Sequence, residues 1–299
     1  MMKRICAAIL LLVTICGLCA CAPGGDHAFR ITFIDVGQGD AALVECDGHY
    51  MLIDGGDKRG GQAVYRTLED RGVRQLDILA VSHLHEDHIG GLGSALANVT
   101  RIGKVLSNAE TADTRAFRDF ERAISGLGAI TVPAKGTQYK LGSATVEVLD
   151  VSAEEDNDSL VLLVTYRQTR YLFTGDIEKN AQRRVVDTLQ ARSGDFKGIS
   201  LIKLPHHGAY NDELGFQDNE LQSLFRVYNP TYFIISVGAG NQYGHPHAYT
   251  LKVIEDKLTG DDLPWADHVF RTDRQGSITV SSNGRQIWVG MERMDEAGR

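Results

Sequence analysis

The sequence predicts an α/β fold in which two mixed β-sheets pack together and helices lie outside. Three observations favour this fold: 43% of the 299 residues are hydrophobic, short apolar segments alternate with amphipathic ones, and no internal repeat is visible. The length suffices for one large domain or two small ones. The same alternation is typical of ordinary α+β folds, so the pattern alone does not choose between the two classes.

The first 20 residues are expected to be a signal peptide. A basic start, MMKR, precedes the apolar run ICAAILLLVTICGL, which is short for a membrane span. The following LCAC, Leu18 to Cys21, resembles a bacterial lipobox, and the resemblance implies cleavage after Ala20 and lipid on Cys21. A plain signal peptide cut nearby and an uncleaved anchor are the alternatives. We therefore expect an extracytoplasmic lipoprotein, anchored to a bacterial membrane through Cys21.

Cysteine content and charge restrict the mature chain further. Of the five cysteines, only Cys46 would remain unmodified, so no internal disulfide is expected, and its apolar surroundings predict a buried thiol. Removal of residues 1–20 takes away Lys3 and Arg4 and no acidic residue, which leaves 29 basic and 39 acidic residues and a net charge of −10. Such a charge excludes a general attraction for nucleic acid, so a polyanionic substrate would have to be held locally.

The domain organisation follows from composition. Residues 1–20 are the predicted signal and residues 21–29 a polar tether. Residues 30–290 contain no low-complexity linker and are predicted to form one domain. The last residues, 291–299, are a polar tail.

The first half of the domain opens with short apolar segments separated by Gly and Asp, which predicts strands joined by tight turns. The predicted strands are 30–36, 42–46, 50–54 and 76–82. The predicted helices are 60–72, 92–99 and a third within 111–128, which Thr114 would cap.

The second half continues the alternation. The predicted strands are 144–150, 159–167, 169–175, 199–205, 231–238, 276–282 and 285–290. The predicted helices are 177–192, 220–228 and 250–258. Two hairpins are expected, one through Arg167–Thr169 and one that turns at Asn283-Gly284.

Polar residues that can bind metals follow six of these apolar strands. The densest group is SHLHEDHIGG, residues 82–91, in which His83 and His85 are two apart and Asp87 and His88 are adjacent. Such spacing directs the two pairs differently and suits two divalent ions about 3.5–4 Å apart. A solvated turn rich in histidine by chance is the alternative. We favour the metal site, because four such residues rarely come together at this density.

Other strand ends supply further candidates, each with a purely structural alternative. Asp176 could bridge two ions or cap the helix that follows it. Asp54 could orient a ligand histidine or begin a turn. In LPHHG, one histidine could close a coordination sphere while the other donates to substrate. The spacing does not decide between them, and we favour His206 as the ligand and His207 as the donor.

Taken in order, FIDVGQGDA, LIDGG, SHLHEDHIGG, NDSLVLLV, FTGDIE, LPHHG and SVGAGNQYGHPH resemble the metallo-β-lactamase fold. More narrowly, they resemble the soluble hydrolase domain of the ComEC-type DNA-uptake (competence) proteins. The resemblance covers about residues 30–290 and implies an αβ/βα sandwich with its site at one edge. It implies metal contacts from six residues: His83, His85, Asp87, His88, Asp176 and His206.

This sequence departs from the wider superfamily at one ligand. No histidine occurs between His88 and Asp176, where the superfamily usually supplies one, and Asn157 is the substitute that the resemblance implies. An amide oxygen binds zinc more weakly than imidazole does, so the first ion could be loosely held or could be manganese. The expected cofactor is therefore two divalent metal ions, zinc first and manganese second. The ComEC-type transporter also has membrane-spanning parts that this chain does not share, so DNA transport is not carried over.

The expected function is hydrolysis of phosphoesters, nucleic-acid phosphodiester first, by a metal-activated water. We assign catalytic roles to Asp87, His207 and His245. Asp40 and Asp54 are expected to support the metal ligands from behind, and His247 is a further neighbour of the site. Cell-wall phosphocholine or teichoic-acid ester is the alternative substrate class. A non-catalytic surface lipoprotein with a vestigial site is the alternative of another class. The expected partners are the phosphoester substrate, with DNA as the first candidate, and the membrane; no obligate protein partner is expected.

Overall fold

The computed structural model describes residues 28–108, 110–155, 157–192, 198–210 and 220–293. The predicted signal peptide, Cys21, almost all of the tether and the last six residues of the tail lie outside these ranges. In the described part of the chain, no helix is both long enough and apolar enough to span a bilayer.

The strands are short and mostly buried. In chain order they are β1 Phe29–Phe33, β2 Ala42–Cys46, β3 His49–Ile53, β4 Gln75–Val81, β5 Arg101–Ser107, β6 Ile130–Thr131, β7 Gln138–Leu141, β8 Ala144–Asp150, β9 Val161–Tyr166, β10 Thr169–Phe173, β11 Leu201–Lys203, β12 Tyr232–Ile235, β13 Val269–Arg271, β14 Ile278–Ser282 and β15 Ile287–Met291. The helices are α1 Gly61–Asp70, α2 Glu86–Ile89, α3 Leu92–Ala95, α4 Arg115–Ile124, α5 Lys179–Gln190, α6 Glu220–Tyr228, α7 Ala248–Gly260, α8 Trp265–His268 and α9 Thr272–Gln275.

The strands form two mixed sheets, which confirms the predicted fold class. The first sheet has the order β15-β14-β1-β2-β3-β4-β5-β6, and the second has the order β13-β12-β11-β10-β9-β8-β7. In the first sheet β3, β4, β5 and β6 run parallel, and in the second β10 to β13 do. The carboxyl ends of parallel strands are where α/β proteins build their sites.

The core lies in three layers. The layer between the sheets combines aliphatic side chains with stacked aromatic rings: Phe29 stacks on Tyr166 and on Tyr171 with ring centroids 4.9 Å apart in each pair. Helices α1, α3 and α4 cover the outer face of the first sheet, and α5, α6 and α7 cover that of the second. Burial of apolar surface in all three layers holds the sheets together, because each square ångström removed from water contributes about 25 cal/mol.

Local sequence signals account for several element ends. Thr114 caps α4 as predicted, because its hydroxyl accepts a hydrogen bond of 3.1 Å from the Phe117 amide. Both predicted hairpins are present, β9 with β10 and β14 with β15. Strand β1 begins one residue before the predicted domain start, and β15 continues to Met291, one residue into the predicted tail.

Three strands and three short helices were not predicted. Strands β6, β7 and β13 have only two to four residues, and both residues of β6 are exposed. Neither alternation nor an apolar run therefore distinguishes these strands in the sequence. Helices α2, α8 and α9 have four residues each. Strand β11 is shorter than the predicted 199–205, because a single 3₁₀ turn, Pro205–Gly208, replaces its end. That turn carries both histidines of the LPHHG motif.

Candidate metal centre

Loops from both sheets bring the candidate residues together at the carboxyl ends of parallel strands. Strand β4 leads into residues 82–88, and β3 leads into Asp54. In the second sheet, β10 leads into Asp176 and β11 into the turn that carries His206 and His207. The site therefore lies at one edge of the sandwich, where the two sheets meet.

Four side chains form the tightest cluster. Ligand atoms of Asp87, His88, Asp176 and His207 lie within 4.8 Å of one another. The Nε2 atom of His88 is 3.2 Å from Asp176 Oδ2, and the Nε2 atom of His207 is 3.1 Å from Asp87 Oδ2. Two imidazole nitrogens and two carboxylates facing one point are a ligand set that divalent zinc or manganese accepts.

Buried atoms without partners support a cation at this place. His88 Nε2, His83 Nε2 and Asp176 Oδ1 are buried and accept or donate no hydrogen bond within the described part of the chain. Leaving a buried polar atom unpaired costs about 1–3 kcal/mol. A metal ion would satisfy these atoms, so the residues present fit the group that the fold implies.

Asp54 fixes the orientation of His88. Its Oδ2 atom is 3.0 Å from His88 Nδ1, and its carboxylate also accepts from the amide and hydroxyl of Ser82, each at 2.8 Å. Asp54 is buried and has a left-handed φ of 56°. With Nδ1 of His88 held by this carboxylate, Nε2 is directed into the cluster.

A parallel arrangement holds His207. Its Nδ1 atom donates to the Ser236 carbonyl oxygen at 2.9 Å and lies 3.4 Å from Asp40 Oδ1. The Nε2 atom is thereby left for Asp87 and Asp176. Both cluster histidines thus have one ring nitrogen fixed from behind.

The Asp40 loop packs directly against the loop that carries Asp87. Gly39 has a φ of 132°, and a Cβ atom there would lie 2.2 Å from the Asp87 carbonyl oxygen. The Asp40 amide donates to this same oxygen at 3.1 Å. The second glycine of GQGD, Gly39, is therefore required by the close approach of two backbones.

Lys203 is a site residue that the sequence analysis missed. It is 3% exposed, forms an ion pair with Asp40, and has its Nζ atom 3.7 Å from Asp176 Oδ1 and 3.2 Å from the Gly175 carbonyl oxygen. The signal was a lysine inside the apolar segment SLIKLP, immediately before the histidine pair. Ser82 was missed as well, because a serine before the motif carries no distinctive signal.

Charge in this site is unbalanced. Four carboxylates lie in or behind the cluster, those of Asp40, Asp54, Asp87 and Asp176, and the one buried lysine among the described residues, Lys203, lies against Asp40 and Asp176 only. Burial alone would lower the pKa of His207, but the carboxylates of Asp176 and Asp40 outweigh it and raise the pKa to about 10. Burial also acts to lower the pKa of His88, but the carboxylates of Asp176, Asp87 and Asp54 outweigh it and hold that pKa well above its ordinary value. Protons on the His88 and His207 rings therefore supply part of the positive charge that the carboxylates require.

The structure places His207, which we predicted as the substrate donor, in the cluster, and His206, which we predicted as the ligand, at its edge. His207 lies in the cluster, whereas the Nδ1 atom of His206 is 3.2 Å from Glu178 Oε1 and its Nε2 atom is 3.9 Å from Asp176 Oδ2. Both have left-handed φ values, 48° and 56°, which turn the two rings apart. We therefore correct the preferred ligand of this cluster to His207, and contact of His206 with a second ion stays a prediction.

His83 and His85 lie beside the cluster with ring centroids 4.5 Å apart, and His83 is 4.1 Å from His88 by the same measure. His83 is buried, and burial lowers its pKa well below the ordinary value, so its ring is neutral and able to bind a metal. Among the described residues, the groups of three ligand atoms within 4.8 Å contain neither histidine. Their part in a first ion site stays a prediction.

Asn157 is joined to His206 through Glu178. The Asn157 amide donates to Glu178 Oε1 at 3.0 Å, and the same oxygen lies 3.2 Å from His206 Nδ1. The Asn157 side chain uses its nitrogen for this hydrogen bond, so its amide oxygen takes no part in it. Its proposed role as the substitute ligand stays a prediction.

His245 stands at the rim of the site. Its ring centroid lies 5.5 Å from that of His206 and 6.2 Å from that of His207, and its Nδ1 atom has no partner within the described residues. Burial and the neighbouring histidines lower its pKa to about 4, so the ring is neutral at pH 7. His247 is engaged elsewhere, because the Tyr210 amide donates to its Nδ1 atom at 2.8 Å.

Comparison with known proteins identifies the family of this chain. A sequence model of the metallo-beta-lactamase superfamily matches residues 34–214. The chain is 24% identical over 278 residues to ComE operon protein 3 of Bacillus subtilis (strain 168), and the match covers 86% of this chain and 33% of that protein. It is 24% identical over 248 residues to competence protein ComA of Neisseria gonorrhoeae, with 79% and 32% covered. The chain thus spans about a third of the length of these relatives.

Solved structures share the fold at low identity. The metallo-beta-lactamase fold protein YhfI from Bacillus subtilis superposes with a TM-score of 0.54 at 11% identity and covers 88% of this chain and 100% of its own. The metallo hydrolase Igni18 from Ignicoccus hospitalis superposes with a TM-score of 0.51 at 15% identity, covering 85% and 100%. CmlA, a diiron beta-hydroxylase from Streptomyces venezuelae, gives 0.52 at 13% identity, covering 86% and 55%. Because the family model matches more than half of the chain and the fold and the ligand cluster agree with it, this chain belongs to the metallo-β-lactamase superfamily.

Proposed function

We propose that the chain is an exported, lipid-anchored, metal-dependent phosphodiesterase that acts on nucleic acid, in a role like that of the ComEC-type hydrolase domain. The cluster of Asp87, His88, Asp176 and His207 carries the proposal, because its ligand atoms converge and two of its residues, His88 and Asp176, each have a buried atom without a hydrogen-bond partner among the described residues. The competence proteins among the relatives support the choice of nucleic acid. The assignment of a phosphodiesterase activity and of nucleic acid as its substrate is part of our proposal.

The group expected in the cluster is a pair of divalent ions, zinc first and manganese second. When bound, these ions would supply Lewis-acid charge and lower the pKa of water, which makes hydroxide available at neutral pH. The fold does not select the metal, since CmlA with the same fold is a diiron protein. The nitrogen and oxygen donors of the cluster suit either of our candidates.

The chain's own residues divide the remaining work. Asp87 and Asp176 would hold the metals. Asp54 and Asp40 lie behind His88 and His207, respectively, and fix the orientation of the two rings. His245 is neutral and half-buried at the rim, so it is suited to donate a hydrogen bond to a non-bridging phosphoryl oxygen. Exclusion of water is aided by the apolar core directly beneath the cluster.

Tyr243 favours nucleic acid over wall polymer. It is 56% exposed in the loop that leads to His245, and its ring stacks on that of His245 with centroids 5.6 Å apart. An exposed aromatic ring beside a phosphodiester site can stack on a base, which contributes about 1–3 kcal/mol per base. A polyol ester offers no comparable π-face, whereas the quaternary ammonium of a choline ester can also contact an aromatic ring, so the ring argues against the polyol ester alone.

The proposed location depends on the amino-terminal sequence. MMKR, the apolar run and LCAC support export and lipid on Cys21, and all of them lie outside the described residues. We propose the phosphoester and the membrane as partners and no obligate protein partner.

The test combines metal content with hydrolysis. The full chain, purified in detergent, would be analysed for bound metal by mass spectrometry and assayed on bis-p-nitrophenyl phosphate and on single-stranded DNA, with zinc or manganese added. We expect about two equivalents of metal and turnover of both substrates. Asp176→Asn should lose metal and activity together, whereas Asp267→Asn, an exposed carboxylate on α8, should keep both.

Two other results would point elsewhere. Metal binding with hydrolysis of choline or teichoic-acid esters alone would replace the substrate class. Failure to bind any metal or to turn over any ester would favour the non-catalytic binding lipoprotein. Tyr243→Ala separates the substrates further, because it should weaken DNA hydrolysis about tenfold while leaving the small ester unchanged.

A further inference from the structure

A basic groove lies at the end of the sandwich opposite the metal centre. It has a volume of about 680 Å³ and is lined by the first residues of β3, β4 and β5 together with Tyr139 and Lys140 of β7. The metal centre follows the last residues of β3 and β4. Strand β4 has seven residues, so its two ends are about 23 Å apart.

The groove is positive on a chain that is negative as a whole. Its lining contains four arginine or lysine residues, Arg74, Arg101, Lys104 and Lys140, against one carboxylate, Asp77. Asp77 is engaged by the amide of Tyr50 and by His49, each at 2.9 Å.

Pairing within the protein leaves three of these cations available. Glu69 neutralises Arg74 through an ion pair. None of the ion pairs in the described ranges involves Arg101, Lys104 or Lys140. All three are exposed, and Lys104 lies over the half-buried ring of Tyr139 at 5.7 Å. Concentrated, unneutralised cations beside a tyrosine are suited to an anionic surface.

The chain enters the fold at the same end. The carbonyl oxygen of Ala28 accepts from the Asp47 amide at 2.9 Å, and Asp47 precedes Gly48 and His49, which line the groove. Cys21 lies seven residues before Ala28. Seven residues reach at most about 25 Å, so a lipid on Cys21 would keep this end of the domain at the membrane.

We propose that this groove binds the headgroups of anionic phospholipids and thereby holds the domain with its metal centre facing away from the membrane. The proposal rests on the proposed membrane location. Each basic residue near an anionic surface strengthens binding about fivefold, and the effect falls off within a Debye length. A nucleic-acid strand is the competing occupant, but the nearby chain entry favours the membrane.

The test is lysine labelling of the full chain reconstituted into vesicles. An amine-acylating reagent and peptide mass spectrometry would report Lys104 and Lys140 in the groove and Lys58, which is exposed at the metal-centre end. With phosphatidylglycerol added to phosphatidylcholine, labelling of the two groove lysines should fall about fivefold and that of Lys58 should not change. High salt should reverse the protection.

Charge-reversal variants sharpen the result. Arg101→Glu keeps both reporter lysines and should restore their labelling on anionic vesicles, whereas Arg59→Glu, a reversal at the metal-centre end, should leave the protection intact. Equal labelling on both vesicle types would overturn the proposal. Protection by a single-stranded oligonucleotide on neutral vesicles, without protection by phosphatidylglycerol, would assign the groove to nucleic acid instead.

The outcome is separable from the other proposals. Lipid on Cys21 is read from the mass of the amino-terminal peptide, and hydrolysis is read from the ester assay. An unlipidated chain is mixed with the same preformed vesicles, so the labelling pattern is measured either way. An inactive chain with a protected groove would refute the phosphodiesterase and keep the membrane contact.

Discussion

At the level of single residues, the site depends on a few side chains that hold others in place. Asp54 and Asp40 do not face the point where the cluster atoms converge, yet each lies behind one cluster histidine. Lys203 balances part of the charge that these carboxylates bring. Removing such a residue changes the site while leaving its ligands in the sequence.

Asp54→Asn tests this dependence. An amide can still accept from Ser82, but it offers His88 a weaker acceptor without charge, so metal affinity should fall about 10- to 100-fold. Competition titration with a chelating dye would measure this affinity. An unchanged affinity would show that the hydrogen bond of 3.0 Å to His88 does not orient the ligand.

His207→Ala and His206→Ala form a matched pair. Because His207 lies in the cluster and His206 at its edge, the first change should remove metal from this cluster and the second should keep at least that ion. Metal analysis of the two purified variants would decide the matter. Loss of all metal from the His206 variant alone would restore our prediction from the sequence.

At the level of elements, two loops meet backbone to backbone beneath the cluster. The loop after β1 approaches the loop after β4 at Gly39, and the Asp40 amide binds the Asp87 carbonyl oxygen. The same loop reaches the second sheet, since the Gly238 amide donates to Gln38 Oε1 at 3.2 Å. The GQGD motif therefore joins three segments that have no local relation in sequence.

Gly39→Ala is expected to disturb this junction. The new Cβ atom would clash with the Asp87 carbonyl oxygen at a φ that alanine rarely adopts, so the loops must separate. We expect a loss of about 1–3 kcal/mol in the free energy of unfolding and a large loss of metal affinity. Urea unfolding and metal titration would measure the two. Gly240→Ala, in a loop where a new Cβ atom would have no neighbour within 4 Å, is the control for the cost of a left-handed φ alone.

At the level of the whole molecule, the site concentrates negative charge in a chain whose net charge is already −8. Without a metal, protons on His88 and His207 supply part of the missing positive charge. Metal binding requires neutral rings, so protons and metal compete for the same atoms.

This competition sets a pH dependence. In the metal-free protein the pKa of His207 rises to about 10 from its ordinary value, so its stabilising contribution is complete below about pH 6.5 and is lost as the pH rises through about 10. Metal affinity has the opposite sign and should rise with pH over this window, with about one to two protons released for each ion. Calorimetric titration in buffers of different ionisation enthalpy would count these protons. Affinity that does not change between about pH 6.5 and 10 would contradict the charge balance described above.

The sequence by itself determined most strand and helix positions and the density of metal-binding residues at strand ends, and its motifs determined the fold class through the family that they resemble. It could do so because apolar periodicity, turn residues and the run from His83 to His88 are local signals. It missed β6 and β13, which are too short to show a period.

Only the tertiary structure decided which residues meet. It placed His207 rather than His206 in the cluster, because two left-handed residues in succession turn the rings apart. It brought Lys203 under Asp40 across 163 positions of sequence, and it placed a basic groove at the end where the chain enters the fold. Contacts of this kind depend on the packing of two sheets, and no local pattern of residues encodes the distance between side chains on different strands.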